Sequence, residues 1–109
     1  MNYIPLPKKY SERIYIYNFN ISESVIVERD LAILEKTGGH YHLLHVSTKE
    51  ALDAIRVAKK KGLKATVEAC PHHFALNDEA VLEFGTNAKM NPPLRSEEDR
   101  KAIVEGLRD

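Results

Sequence analysis

A chain of 109 residues with 43% hydrophobic and 29% charged side chains is sized and composed for one globular domain, not for a disordered segment or a coiled coil. Sixteen basic and sixteen acidic residues cancel, so no net field draws the chain to nucleic acid or a membrane surface, and no apolar run approaches the ~20 residues that span a bilayer. One cysteine, Cys70, excludes an internal disulfide; with an N-terminus that lacks an apolar signal-like stretch, it predicts a reducing, cytoplasmic setting.

In chain order, residues 1–12 are polar and carry Pro5 and Pro7, which predicts an extended arm. RIYIYNF (13–19) alternates Ile14 and Ile16 with Tyr15, Tyr17 and Phe19, a strand pattern. SESVIVERDLAILEK (22–36) reads as a helix capped by Ser22, with an apolar face of Val25, Ile26, Leu31, Ile33 and Leu34, stopped at Gly38–Gly39. YHLLHV (41–46) is a strand. Ser47 or Thr48 then caps a helix whose Ala51, Leu52, Ile55 and Ala58 recur at helical spacing. Its closing Lys59-Lys60-Lys61 suits the negative end of a helix dipole, and Gly62 is a natural stop. LKATVEAC (63–70) is the next strand, ended by Pro71. NDEAVLEFG (77–85) is a short helix capped by Asn77 or Asp78, and TNAKMN (86–91) is a brief extended piece before Pro92–Pro93. Ser96 opens the last helix, with acidic residues in its first turn. Strands alternating with helices at this spacing predict βαβ units with parallel strands, and the chain stops after a helix, where such a fold would supply another strand.

Position along a strand sorts the chemistry-bearing residues, because parallel α/β sheets gather function at the carboxyl ends of their strands. His40 and His42 lie at the start of their strand and read as structural or solvated; His45 lies at the exit. The next exit holds Cys70-Pro71-His72-His73. If that piece is extended, at most one of the adjacent histidines faces a shared centre, and Cys70 is a small buried apolar group. The third exit, Lys89 to Arg95, carries Asn91, which can both donate to and accept from an amide. Arg95 could clamp a carboxylate or pair with Glu97, Glu98 or Asp99. There is no phosphate-binding glycine loop, no G-x-S-x-G and no C-x-x-C.

The stretches LLHVSTKEALDAIRVAKKKGLKATVEACPHHFALNDE and NAKMNPPLRSEEDRKAIVEGLRD resemble dihydroorotase, of the bacterial class I type within the amidohydrolase superfamily. HVST, E-x-x-PHH and NPPLRSEEDR, in this order and spacing, carry the resemblance, which spans about residues 22–109. It divides the chain into an unmatched 1–20, an arm and possible strand, and a partial-barrel segment over 21–109. It implies a segment of a (β/α)₈ barrel, about three βα units of an architecture that takes ~250 residues. It also implies reversible hydrolysis of dihydroorotate to N-carbamoyl-aspartate in pyrimidine biosynthesis, at a binuclear Zn²⁺ centre. By motif, His45 is a zinc ligand, Asn91 contacts substrate, and His72, His73 and Arg95 support the site. The family's H-x-H on its first strand, its bridging lysine or aspartate, its H-C-E-D ligand and its final D-H-A-P-H are absent, so no catalytic residue is assigned and the chain alone is expected to be inactive. Two other readings stand beside this one: a non-catalytic module that self-associates through exposed strand edges, and a segment of a hydantoinase or allantoinase.

Overall fold

The structure, a computed structural model, describes the backbone of residues 8–109 and the side chains of residues 20–109. Of the arm expected over 1–12, residues 1–7 lie outside the described residues, and residues 8–12 are helical rather than extended, the first turns of a long helix that starts at Lys8.

Helix α1 (Lys8–Thr37) takes in both the expected strand at 13–19 and the expected helix at 22–36. The alternating pattern of 13–19 forms a strand only beside a partner strand; a continued helix satisfies each backbone N–H and C=O within the segment itself. Ser22 is therefore inside the helix rather than at its start. The buried face of α1 is Val27, Leu31 and Leu34, spaced i, i+4, i+7, while Val25, Ile26 and Ile33 point outward. The helix ends as anticipated: Gly38 adopts φ 73° and its N–H reaches Leu34 O at 2.8 Å.

Strands β1 (Tyr41–Leu43) and β2 (Ala65–Val67) form a two-stranded parallel sheet with Tyr41 opposite Ala65, His42 opposite Thr66 and Leu43 opposite Val67. The pairing runs on through Glu68 N–H to Leu43 O (3.0 Å) and Val46 N–H to Glu68 O (2.9 Å). Helix α2 (Lys49–Lys60) is the crossover between them. Thr48 Oγ1 accepts the N–H of Ala51 at its start, and Gly62 (φ 82°) follows its end. The face read from the sequence, Ala51, Leu52, Ile55 and Ala58, is the buried one. It packs between α1 and α5 (Glu97–Gly106) and forms the main core with Val27, Leu31, Leu34, Val46, Ala65 and Ile103.

After β2 the expected pattern changes. Pro71–Ala75 is a short helix, α3, with proline in its first turn, so PHH is helical rather than extended. Helix α4 (Ala80–Phe84) follows, with Asn77 Oδ1 accepting from Glu79 N–H at 3.0 Å. The extended piece expected at 86–91 is replaced by a 3₁₀ turn, Gly85–Ala88, that opens with Gly85 at φ 57°. Thr86, Asn87 and Lys89 are exposed and offer no alternating apolar side to lay on a sheet; Ala88 instead packs with Ala80 and Leu94 in a second small cluster. The Asn91–Pro92 peptide is cis. The described residues thus form an α/β unit with one parallel βαβ crossover and two strands, where the sequence suggested three βα units. No helix among the described residues is long and apolar enough to cross a membrane.

Candidate functional site

His45 follows β1 and is the only non-glycine residue with positive φ (40°) among the described residues. The left-handed conformation costs a residue with a side chain ~1–2 kcal/mol, and such outliers persist where surrounding bonds over-determine them. Here those bonds lie just downstream. Val46, Ser47 and Thr48 turn inward and are buried, leaving the His45 ring exposed at the sheet's carboxyl end. His45 N–H points at Glu68 Oε1, 3.4 Å away. His40 and His42 are also exposed, and His42 bonds across the sheet to Thr66 Oγ1 (2.7 Å).

A partly buried carboxylate holds the loop after His45. Glu23, from α1, accepts the N–H groups of Ser47 (2.9 Å) and Thr48 (3.2 Å), the Thr48 hydroxyl (3.2 Å) and the Ser47 hydroxyl. Arg95 closes the set: its Nε donates to Ser47 Oγ at 3.0 Å and its Nη2 to Glu23 Oε2 at 3.3 Å. The Arg95 side chain is 2% exposed and that of Glu23 12%. The sequence offered Glu97, Glu98 or Asp99 as acidic partners for Arg95; the ion pair is made with Glu23, because Glu97 is taken by Arg100 and Asn77 and Asp99 by the start of α2. Asp99 accepts Lys49 N–H (2.8 Å), the Ser96 hydroxyl (2.9 Å) and the Asn20 amide (3.1 Å).

The second exit is tied to the third through His73. Its ring is buried, and Nε2 donates to Pro92 O at 2.9 Å, a carbonyl that can only accept. Burial pushes the His73 pKa down, which keeps the ring neutral. His72 and His73 stack at 4.2 Å between ring centroids with a tilt of 57°. Asn91, one residue before the prolines, is exposed. Ser47 to Arg95 and His73 to Pro92 therefore lock the three exits to one another, with His45 and Asn91 left outward-facing.

Sequence reasoning named His45, His72, His73, Asn91 and Arg95 but missed Glu23, Ser47 as a bonded partner, and the role of Asp99 at the start of α2. The S-T dipeptide before α2 hinted at capping; nothing local marks Glu23, whose contacts lie 24 to 72 residues away. A zinc centre of the kind implied for His45 is not completed by these residues. The three-donor group that comes together among the described residues is Cys70, His72 and His73, and His45 is not in it.

A dihydroorotase of Anaplasma phagocytophilum is 60% identical over 91 residues, covering 83% of this chain and 20% of the relative. Over that stretch the chain is similar to dihydroorotase. Dihydroorotases of Desulforapulum autotrophicum (51% over 90 residues, 21% of the relative) and of a Wolbachia strain from Drosophila simulans (51% over 102 residues, 23% of the relative) match likewise. The chain spans about a fifth of the length of these curated relatives. No protein-family model matches it. Among solved structures, a D-hydantoinase (TM-score 0.72, 26% identical) and the D-hydantoinase, or dihydropyrimidinase, of Thermus sp. (TM-score 0.70, 31% identical) each cover 77% of this chain and 19% of their own. Dihydroorotase and hydantoinase alike are cyclic amidohydrolases.

Proposed function

We propose that this chain supplies one segment of a (β/α)₈ barrel to a zinc-dependent dihydroorotase of pyrimidine biosynthesis that interconverts dihydroorotate and N-carbamoyl-aspartate. The observation that supports this reading is that the bonds from Arg95 to Ser47 and from His73 to Pro92 tie together the loops carrying His45, His73 and Asn91, in a chain 60% identical over 91 residues to a dihydroorotase. In this reading residues 21–109 are the barrel segment and residues 1–20 lie outside it. His45 gives the Zn²⁺ centre one ligand, Asn91 hydrogen-bonds the substrate amide, and Arg95, His72 and His73 hold the two in place. A catalytic zinc takes three protein ligands. One is present, so these residues alone do not turn over dihydroorotate, and no catalytic step is derived for them. The reading places the protein in the cytoplasm.

A chimera tests it: residues 41–105 replace the matching stretch of the Anaplasma enzyme. Ring opening of dihydroorotate should persist, His45→Ala in the chimera should abolish it, and Asn91→Ala should raise KM. A folded chimera that hydrolyses a hydantoin but not dihydroorotate would move the assignment to the hydantoinases.

A second reading, self-association of the isolated chain as a homo-oligomer, is favoured by the outward-facing Val25, Ile26 and Ile33 of α1.

A further inference from the structure

We propose that Cys70, His72 and His73 form a zinc-binding site at the start of α3, separate from the position of His45. Cys70 Sγ and one ring nitrogen from each histidine lie within 4.8 Å of one another. The local chain explains the convergence. Cys70 is the N-cap, in extended conformation (φ −85°, ψ 146°), and Pro71 starts the helix, so the side chains of the cap and of the next two residues after proline crowd one helix end.

The decisive observation is His73. Its residue exposure is 3%, and its Nε2 is committed to Pro92 O. Because a carbonyl has no proton to give, Nε2 carries the hydrogen and Nδ1 holds the lone pair. That buried Nδ1 has no hydrogen-bond partner among the described residues. A buried acceptor without a partner is unfavourable, and a cation beside Cys70 and His72 removes that cost. A ring N–H bonded to a backbone carbonyl is also the usual orienting bond of a metal-ligating histidine.

One sulfur and two imidazoles are the donor set of a borderline-soft, tetrahedral ion such as zinc, with room for a fourth donor. Bond lengths of ~2.3 Å to sulfur and ~2.0 Å to nitrogen set donor separations near ~3.5 Å, so donors now within 4.8 Å of one another close by at most ~1.3 Å. Cys70 and His72 are half-buried and retain freedom to rotate inward. Binding is balanced by loss of the thiol proton: the Cys70 sulfur bonds the ion as thiolate and its proton goes to solvent. The ion would join α3 to the Pro92 loop through the two nitrogens of a single ring.

Cobalt(II) titration of the 109-residue chain tests the site, since thiolate ligation gives cobalt a charge-transfer band and tetrahedral geometry gives intense visible bands. A one-to-one complex with both features, displaced by zinc, is expected. Cys70→Ser should abolish the charge-transfer band, His72→Ala should weaken binding at least ~10-fold, and His40→Ala should leave the spectrum unchanged. Both informative variants sit at half-exposed positions, and circular dichroism checks their folding. Cobalt bound without the thiolate band, equal affinity in folded Cys70→Ser, or loss of binding in His40→Ala would each overturn the proposal. None of these outcomes depends on dihydroorotate turnover.

Discussion

At the scale of single residues, the Glu23–Arg95 pair decides most. Removing one member of a buried ion pair leaves an uncompensated charge, a loss of ~3–5 kcal/mol. Arg95→Ala should destabilise by that order in chemical denaturation. The double variant Glu23→Ala, Arg95→Ala should lose less than the sum of the single changes, as contacting residues do. Glu97 sets an acid limit of a different kind. Hydrogen bonds from Arg100 (2.7 and 2.6 Å) and from Asn77 (2.9 Å) hold its carboxyl down at about 2. A depressed carboxyl contributes stability that is fully present above its unfolded value and fades as pH falls towards 2. The stability difference between the native chain and Glu97→Gln should therefore shrink on acidification from pH 5 to pH 2, followed by urea denaturation at each pH. At this scale the sequence singles out side chains near the strand exits but not the partners that hold their loops. His45 is legible because it follows a strand; Glu23 is not, because its meaning comes from backbone N–H groups 24 and 25 residues away.

At the scale of elements, α2 shows why some helices can be read and others cannot. Its buried face, its cap and its stop are all encoded within its own stretch, Thr48 to Gly62. Ile55, 2% exposed, anchors that face, and Ile55→Ala should cost ~2–5 kcal/mol in thermal or urea unfolding. The α2 N-terminus also draws on α5, because Asp99 accepts Lys49 N–H. Asp99→Ala should cost ~0.5–2 kcal/mol as a lost cap, and Asp99→Asn should recover part of it. The start of α1 and all of α3 misled for opposite reasons. In α1 a two-residue alternation was overridden by continuity with a strong helix. In α3 the proline after Cys70, read as the end of a strand, is the first residue of a helix.

At the scale of the molecule, the α/β class and the parallel crossover follow from the order of segments, whereas the third strand does not form among the described residues. Strand pairing depends on neighbours rather than on the polar TNAKMN itself. Ile21, Val25, Ile26 and Ile33 on α1 and Leu82 and Phe84 around α4 remain exposed. Self-association through the α1 face predicts concentration-dependent sedimentation that Val25→Ser with Ile26→Ser reduces. A strictly monomeric profile of the native chain at high concentration would count against it.

The bond from Arg95 to Glu23 spans 72 residues. Its consequence is kinetic as well as geometric, since contacts this distant in sequence close only after the intervening loops have paid their ordering entropy. The shape of the loop below His45 is thus a property of the cooperative unit rather than of the loop. Amide exchange reports this directly: the Ser47 and Thr48 N–H groups, exchanged in deuterated buffer, should open only with global unfolding, while the Lys89 amide on the neighbouring surface turn exchanges by local fraying.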